Sequence, residues 1–139
     1  MQFSTRVTID APAAQVWSIL TDLPSWPSWN TTVSSTHGTL ALGEKVTVAV
    51  TAAPRRSFPV TVAELDEPRR MVWRGGLPLG LFTGTRTYTL SHEDGRTTFA
   101  MDEVYSGPLA PMLTRSVPDL QPAFDEFARC LKSHAESTT

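Results

Sequence analysis

Hydrophobic and polar residues alternate at the start of the chain, where Phe3, Val7 and Ile9 are set among Ser, Thr and Arg over residues 2–9. A period of two over so short a run predicts a strand of edge type. The period then lengthens. Val16, Trp17, Ile19, Leu20 and Leu23 recur at helical spacing, which predicts a short amphipathic helix over 11–21 with Asp10 as its N-cap. Pro12 falls in the first turn, where a missing N–H does little harm. Thr21, Asp22, Pro24 and Pro27 interrupt the pattern and leave room for one more helical turn, around Ser25 to Ser28.

From Asn30 the period returns to two, and strands are predicted at 31–38, 43–53, 58–66, 69–76, 81–91 and 96–105. Between them lie Gly38 to Gly43, a turn at Ala53-Pro54-Arg55, Asp66-Glu67-Pro68, the Gly75 to Gly80 loop and His92-Glu93-Asp94-Gly95. Connections this short require antiparallel neighbours, because a parallel crossover needs about a dozen residues or more. Val46, Val48 and Val50, with Val60 and Val62, oppose Thr47, Ala49 and Thr51, the alternation of a sheet with one face in a core.

The last third is helical again. Leu120, Phe124, Phe127 and Leu131, with Ala123, Ala128 and Lys132 filling in, make one broad stripe. Pro118 and Pro122 cannot sit deep in a regular helix. The helix therefore either starts near Pro118 or is kinked there, continuing a first piece from about Ala110. A sheet with one apolar face must cover it, and the C-terminal helix is the element long enough to do so. The expected fold is α+β, a curved antiparallel β-sheet wrapped around a long C-terminal α-helix, with a short helical segment after the first strand. No repeat or linker divides the chain, so one domain is expected over 1–136, with 137–139 a frayed tail. A curved sheet and a straight helix do not fill the space between them, and a cavity is expected between residues 81–105 and 111–135.

Composition narrows the partners. Hydrophobic residues make up 40% and charged ones 19%, as in a globular protein, and 12 basic against 14 acidic residues give a net charge of −2. No basic face can neutralise a run of phosphates, so nucleic acid is not expected as a partner. Arg55-Arg56 and Arg69-Arg70, each beside a proline, read as solvated turns. The sole cysteine, Cys130, excludes an internal disulfide and reads as a small buried residue of the last helix. With no apolar signal core and no run of about 18 apolar residues, no membrane span is expected and a reducing cytoplasm is the expected address.

The chemistry-bearing motifs are sparse. His37, His92 and His134 lack another ligand at metal-binding spacing, so no metal and no cofactor is expected, and His134 reads as a dipole partner at a helix C-terminus. There is no Gly-x-Ser-x-Gly elbow. Glycines 75, 76, 80 and 84 are too irregular for a phosphate cradle and read as sheet bends or points of close approach.

In its order of motifs the chain resembles the polyketide cyclase and START-related superfamily, whose helix-grip fold is shared with the birch-pollen-allergen proteins. The resemblance covers nearly the whole chain. It is carried by IDAPAAQVWSILTDLPSWPSWN at 9–30, GEKVTV at 43–48, EPRRMVWRG at 67–75, GTRTYTL at 84–90, EVYSGPLAP at 103–111 and FARCLKSHAE at 127–136. Members of the superfamily hold lipids, sterols, hormones, polyketides or flavonoid-like molecules in a central cavity, and some are cyclases or aromatases. No universal catalytic residue accompanies the fold, so the resemblance implies a cavity and not a reaction.

Candidate site residues follow from the strand faces. Phe82, Gly84, Arg86, Tyr88 and Leu90 share one face of strand 81–91, and Phe99, Met101, Glu103 and Tyr105 share one of 96–105. Each face is otherwise apolar yet holds one charge. A lone buried charge is costly, so Arg86 and Glu103 are expected to meet each other or a ligand. The turn at 92–95 sets pairing partners with index sums of about 187 or 189, and either register keeps both residues on one face. Trp17 reads as core. Trp26 and Trp29 flank Pro27 in a segment that borders the cavity mouth in the family, and the pattern leaves open which face of its strand Trp73 occupies.

The expected ligand-contacting set is Trp26, Trp29, Trp73, Phe82, Arg86, Tyr88, Met101, Glu103, Tyr105, Leu113, Val117 and Phe124. The first functional reading is a small-molecule binding protein or cyclase-like enzyme of bacterial secondary metabolism, monomeric or homodimeric. Arg86 would orient a carbonyl or carboxylate and Glu103 or Tyr105 would transfer a proton during cyclisation or dehydration. The alternatives are a non-catalytic carrier, sensor or self-resistance protein, and a co-chaperone-like interaction domain. The shortage of convergent polar groups favours binding over catalysis.

Overall fold

A computed structural model describes residues 1–52 and 57–138. The turn expected at Ala53-Pro54-Arg55, the Arg55-Arg56 pair and Thr139 lie outside the described residues. Strand β1 (Gln2–Ile9) leads into helix α1 (Ala13–Thr21), a 3-10 turn at Leu23–Ser25 and the single-turn helix α2 (Trp26–Trp29). Six strands follow: β2 (Val33–His37), β3 (Lys45–Val50), β4 (Ser57–Asp66), β5 (Arg70–Leu77), β6 (Phe82–Glu93) and β7 (Arg96–Ser106). Helix α3 (Ala110–Leu113), a 3-10 turn at Thr114–Ser116 and helix α4 (Gln121–Ser137) complete the chain. The strands form one antiparallel sheet in the order β1-β7-β6-β5-β4-β3-β2, curled as a half-barrel around α4. Register shifts after Val33 in β2 and after Val62 in β4 bend the sheet where bulges usually do.

The helix boundaries differ from the sequence expectation in three places. Asp10 does not cap α1: Pro12 occupies the cap position, its carbonyl accepting from Gln15 and Val16. Asp10 instead lies in the bend after β1, and its N–H donates to a Glu136 carboxylate oxygen at 2.8 Å. The C-terminal helix starts three residues beyond Pro118, at Gln121, and a break, not a kink, separates it from the first piece, which begins at Ala110 as expected. The chain leaves helical geometry at Val117 and re-enters it at Gln121, with Pro122 in the first turn, where its missing N–H is tolerated. The helix also runs through Ser137, one residue into the expected tail, and Gln15 reaches across to the Ala135 carbonyl and the Thr138 hydroxyl.

What seats α4 decides where space remains. Its apolar side buries Phe124, Phe127 and Leu131, as the stripe predicts, and Ala135 as well, and Leu120 is half-buried as the residue flanking its start. Polar ties draw it toward the β1 edge: Gln121 Nε2 donates to the Ser4 carbonyl, Thr5 donates to Asp125, and Lys132 donates to the Thr8 carbonyl. The helix therefore lies over β1 and beside α1, and the far strands β3 to β6 curve away from its N-terminal half. Lys132 is half-buried, because its stem lies along this seam and its ammonium also bonds Glu136.

Candidate functional site

The interior between sheet and helix divides into a packed half and an open half. An aromatic cluster fills the packed half. Trp26 stacks on Trp73 with centroids 5.6 Å apart and meets Phe127 edge-on at 5.2 Å, and Tyr88 lies against Trp73, Phe99 and Phe127. Rings packed in these offset and edge-to-face geometries leave no room for a ligand. The open half is a cavity of about 550 Å³, bounded by β3 to β7 on one side and by the 113–127 segment on the other. Its size falls in the range of small-molecule sites, about 300–1,000 Å³.

Sequence and sheet geometry together explain why the space stays open. Gly75 on β5 pairs with Gly84 on β6, so two neighbouring inner positions of the wall carry no side chain. A Cβ on Gly84 would stand 3.3 Å from the Tyr105 ring, and one on Gly75 would stand 2.8 Å from the Pro59 carbonyl. The glycines thus let the Tyr105 ring and the β4 backbone close in. Across the cavity the chain is non-helical from Val117 to Leu120, so Val117 and Pro118 border the space where a continuous helix would run.

One ion pair stands in this apolar enclosure. Arg86 lies directly opposite Glu103, the register with an index sum of 189, and its Nη2 donates to Glu103 Oε2 at 2.8 Å. The side chains are 22% and 14% exposed, and both line the cavity. The guanidinium carbon sits 4.8 Å from the centroid of the Phe124 ring, a cation–π contact that covers one face of the cation. Burial alone would lower the pKa of Arg86, but the Glu103 carboxylate and the neighbouring Tyr88 outweigh it and hold the arginine more firmly protonated than usual. Tyr105 stacks on Phe82 at 5.6 Å beside the pair. Burial first, and then the Glu103 charge, pushes its hydroxyl up to about 12, and burial pushes Tyr88 up to about 12 against the opposing pull of Arg86. Both phenols therefore remain neutral hydrogen-bond donors through the physiological range.

Of the twelve residues expected to touch a ligand, nine border the cavity: Trp73, Phe82, Arg86, Met101, Glu103, Tyr105, Leu113, Val117 and Phe124. Trp26, Trp29 and Tyr88 do not. Trp26 is turned inward, donating its indole N–H to the Leu20 carbonyl at 3.0 Å, and belongs to the aromatic cluster. Trp29 faces the helix, stacked on His134 with its N–H on Ser25 Oγ. Tyr88 shares the strand face of Arg86 but lies one pair deeper, behind Trp73. The open question over Trp73 resolves to the inner face, where it pairs across from Arg86. The set omits Val48, Val50, Val60 and Phe127, which also line the space. Their signal is the same alternation and stripe, which core packing alone also explains.

Among the described residues no group of three or more His, Cys, Asp or Glu side chains is arranged to hold a metal ion, and no helix is long and apolar enough to cross a membrane. Cys130 is buried, within 3.3 Å of a Glu126 carboxylate oxygen and away from the cavity lining.

Comparison with known proteins gives a family and a set of relatives. The family described as "Polyketide cyclase / dehydrase and lipid transport" matches residues 1–136. A protein of Penicillium oxalicum named oxopyrrolidines biosynthesis cluster protein O is 28% identical, over 99% of this chain and 84% of its own length. Among solved structures, an aromatase/cyclase from a Streptomyces species superposes with a TM-score of 0.75 at 16% identity, covering 98% of this chain and 93% of that one. A START superfamily protein from Mycobacterium smegmatis gives 0.71 at 17% identity, covering 99% of both chains. At these identities the structural likeness establishes the helix-grip fold.

Proposed function

The chain belongs to the polyketide cyclase / dehydrase and lipid transport family, and from that membership we propose that it holds a small, largely apolar molecule in the cavity between sheet and helix. The observation that carries this reading is the cavity itself: about 550 Å³ walled by Val, Leu, Phe, Met and Trp side chains, with one ion pair and one phenol as its charged and ionisable groups among the described residues. Apolar walls gain from excluding water, and a few placed polar groups fix orientation. A polyketide-like, lipid-like or aromatic ligand fits this division. The relative in a biosynthetic cluster favours a place in secondary metabolism.

The chemistry favours holding over turning over. Tyr105 stays protonated well above neutral pH and so acts as a donor and not as a base. Glu103 has one oxygen engaged by Arg86, which suits it to position the guanidinium. A second reading, acid–base assistance to cyclisation or dehydration, draws on the convergence of Arg86, Glu103 and Tyr105 on one stretch of an apolar wall. Native mass spectrometry of freshly purified protein tests the first reading. It is expected to show an added mass that leaves on denaturation, or one that appears on incubation with apolar aromatic compounds. Protein that stays bare against a panel of such compounds overturns the reading. Release of a compound chemically altered from the one supplied supports catalysis instead.

A further inference from the structure

We propose that the cavity selects electrically neutral ligands that present a carbonyl oxygen, and rejects shape-matched carboxylates. The inference rests on the binding reading above and specifies its ligand class. Among the described residues lining the space, Arg86 and Glu103 are the only ones with charged side chains, and they neutralise each other at 2.8 Å. Among the described residues the cavity therefore offers dipoles and donors but no spare positive charge.

The geometry of the pair strengthens the bias. Glu103 engages one arm of the guanidinium, and Phe124 covers one of its faces. A guanidinium carries five N–H donors, so others remain for an incoming oxygen. A neutral carbonyl can accept one of these bonds, or one from the Tyr105 hydroxyl, while the ion pair stays intact. A carboxylate at the same place must either shed its hydration beside the Glu103 charge or displace Glu103 from Arg86. Either route carries a desolvation penalty that apolar walls do not repay. The cation that the described residues place in the wall, Arg86, is already paired.

The test uses two compounds of nearly identical shape, 2-acetylnaphthalene and 2-naphthoate, titrated calorimetrically into the full chain at neutral pH. The ketone is expected to bind at least about tenfold more tightly than the carboxylate. In Glu103→Gln the neutral amide can still bond Arg86, but the negative charge is gone and the guanidinium is no longer neutralised. There the preference is expected to collapse, mainly through a gain in naphthoate affinity. Naphthoate binding as tightly as the ketone to the wild-type protein overturns the inference while leaving the binding reading in place. A preference that survives unchanged in a folded Glu103→Gln protein also overturns it, because the ion pair would then not be its source. Binding of neither compound counts against the binding reading itself and removes this inference with it. If the variant fails to fold, the wild-type ratio still tests the preference itself, and equal binding of the two compounds overturns it.

Discussion

Replacing Glu103 by alanine strands the Arg86 guanidinium in an apolar wall, and the structure bounds the consequence from both sides. At an effective dielectric of about 20 and a charge separation of about 4 Å, the pair's attraction is about 4 kcal/mol before desolvation is subtracted. Breaking a fully buried pair costs about 3–5 kcal/mol, and breaking an exposed one about 0–1 kcal/mol. Arg86 and Glu103 lie between these limits, 22% and 14% exposed, with their open side toward the cavity. Water entering there can solvate part of the stranded cation, and the Phe124 face remains in contact with it at 4.8 Å. A loss of about 2–3 kcal/mol is therefore expected for Glu103→Ala. Urea unfolding of the wild type, Glu103→Ala, Arg86→Met and the double variant measures it as a thermodynamic cycle. The double variant is expected to be less destabilised than the sum of the singles by about 2 kcal/mol, because removing both charges leaves neither stranded. A coupling below about 0.5 kcal/mol would show that the pair behaves as a surface contact, and the electrostatic account of the site would fail.

Two further outcomes follow from the same geometry. Phe124 packs on Phe3 at 5.7 Å but has one side on the cavity, so Phe124→Ala is expected to cost about 2–3 kcal/mol, below the usual 3–5 of a closed core, and to weaken ligand binding. Urea unfolding beside a calorimetric titration separates the two effects, and a full core penalty with unchanged affinity would assign the ring to packing alone. Tyr88 has a folded pKa of about 12 against 10 in the unfolded chain, so its contribution is fully present below pH 10 and is lost as pH rises through 12. The loss amounts to about 2–3 kcal/mol for this buried phenol, and Tyr88→Phe is expected to flatten the alkaline limb of a stability–pH curve. An unchanged alkaline limb in that variant would contradict the assignment.

The fold was legible because its signals are local. Alternation over 45–50 and 82–93, the short turns between strands and the stripe from Phe124 to Leu131 each dictate an element without reference to distant residues. The opposition of Arg86 and Glu103 was legible for the same reason, since the turn at 92–95 fixes the register by counting. How much of the interior the side chains fill was not legible. Strand faces show that Tyr88 and Arg86 both point inward, yet Tyr88 is enclosed by Trp26, Trp73 and Phe127 while Arg86 borders the cavity. That difference depends on where α4 sits, and α4 is positioned by bonds between residues 117 to 124 positions apart, such as Gln121 to Ser4 and Lys132 to Thr8. Asp10 misled for a related reason. It has the composition of a cap, but Pro12 already holds the cap position and the Asp10 N–H is engaged by Glu136 from the far end of the chain.

The central claim is that the cavity is where a ligand sits, and filling it tests that claim most directly. Ala123 lies on α4 and borders the space with only a methyl group, so Ala123→Trp is expected to place an indole inside it. Calorimetric titration of 2-acetylnaphthalene into the wild type and into this variant, with circular dichroism to verify folding, makes the comparison. The account predicts saturable binding to the wild type and at least about a tenfold loss in the folded variant, since an occupied pocket cannot bury the ligand's apolar surface. Equal affinity in the two proteins would contradict it, because binding would then lie elsewhere on the molecule.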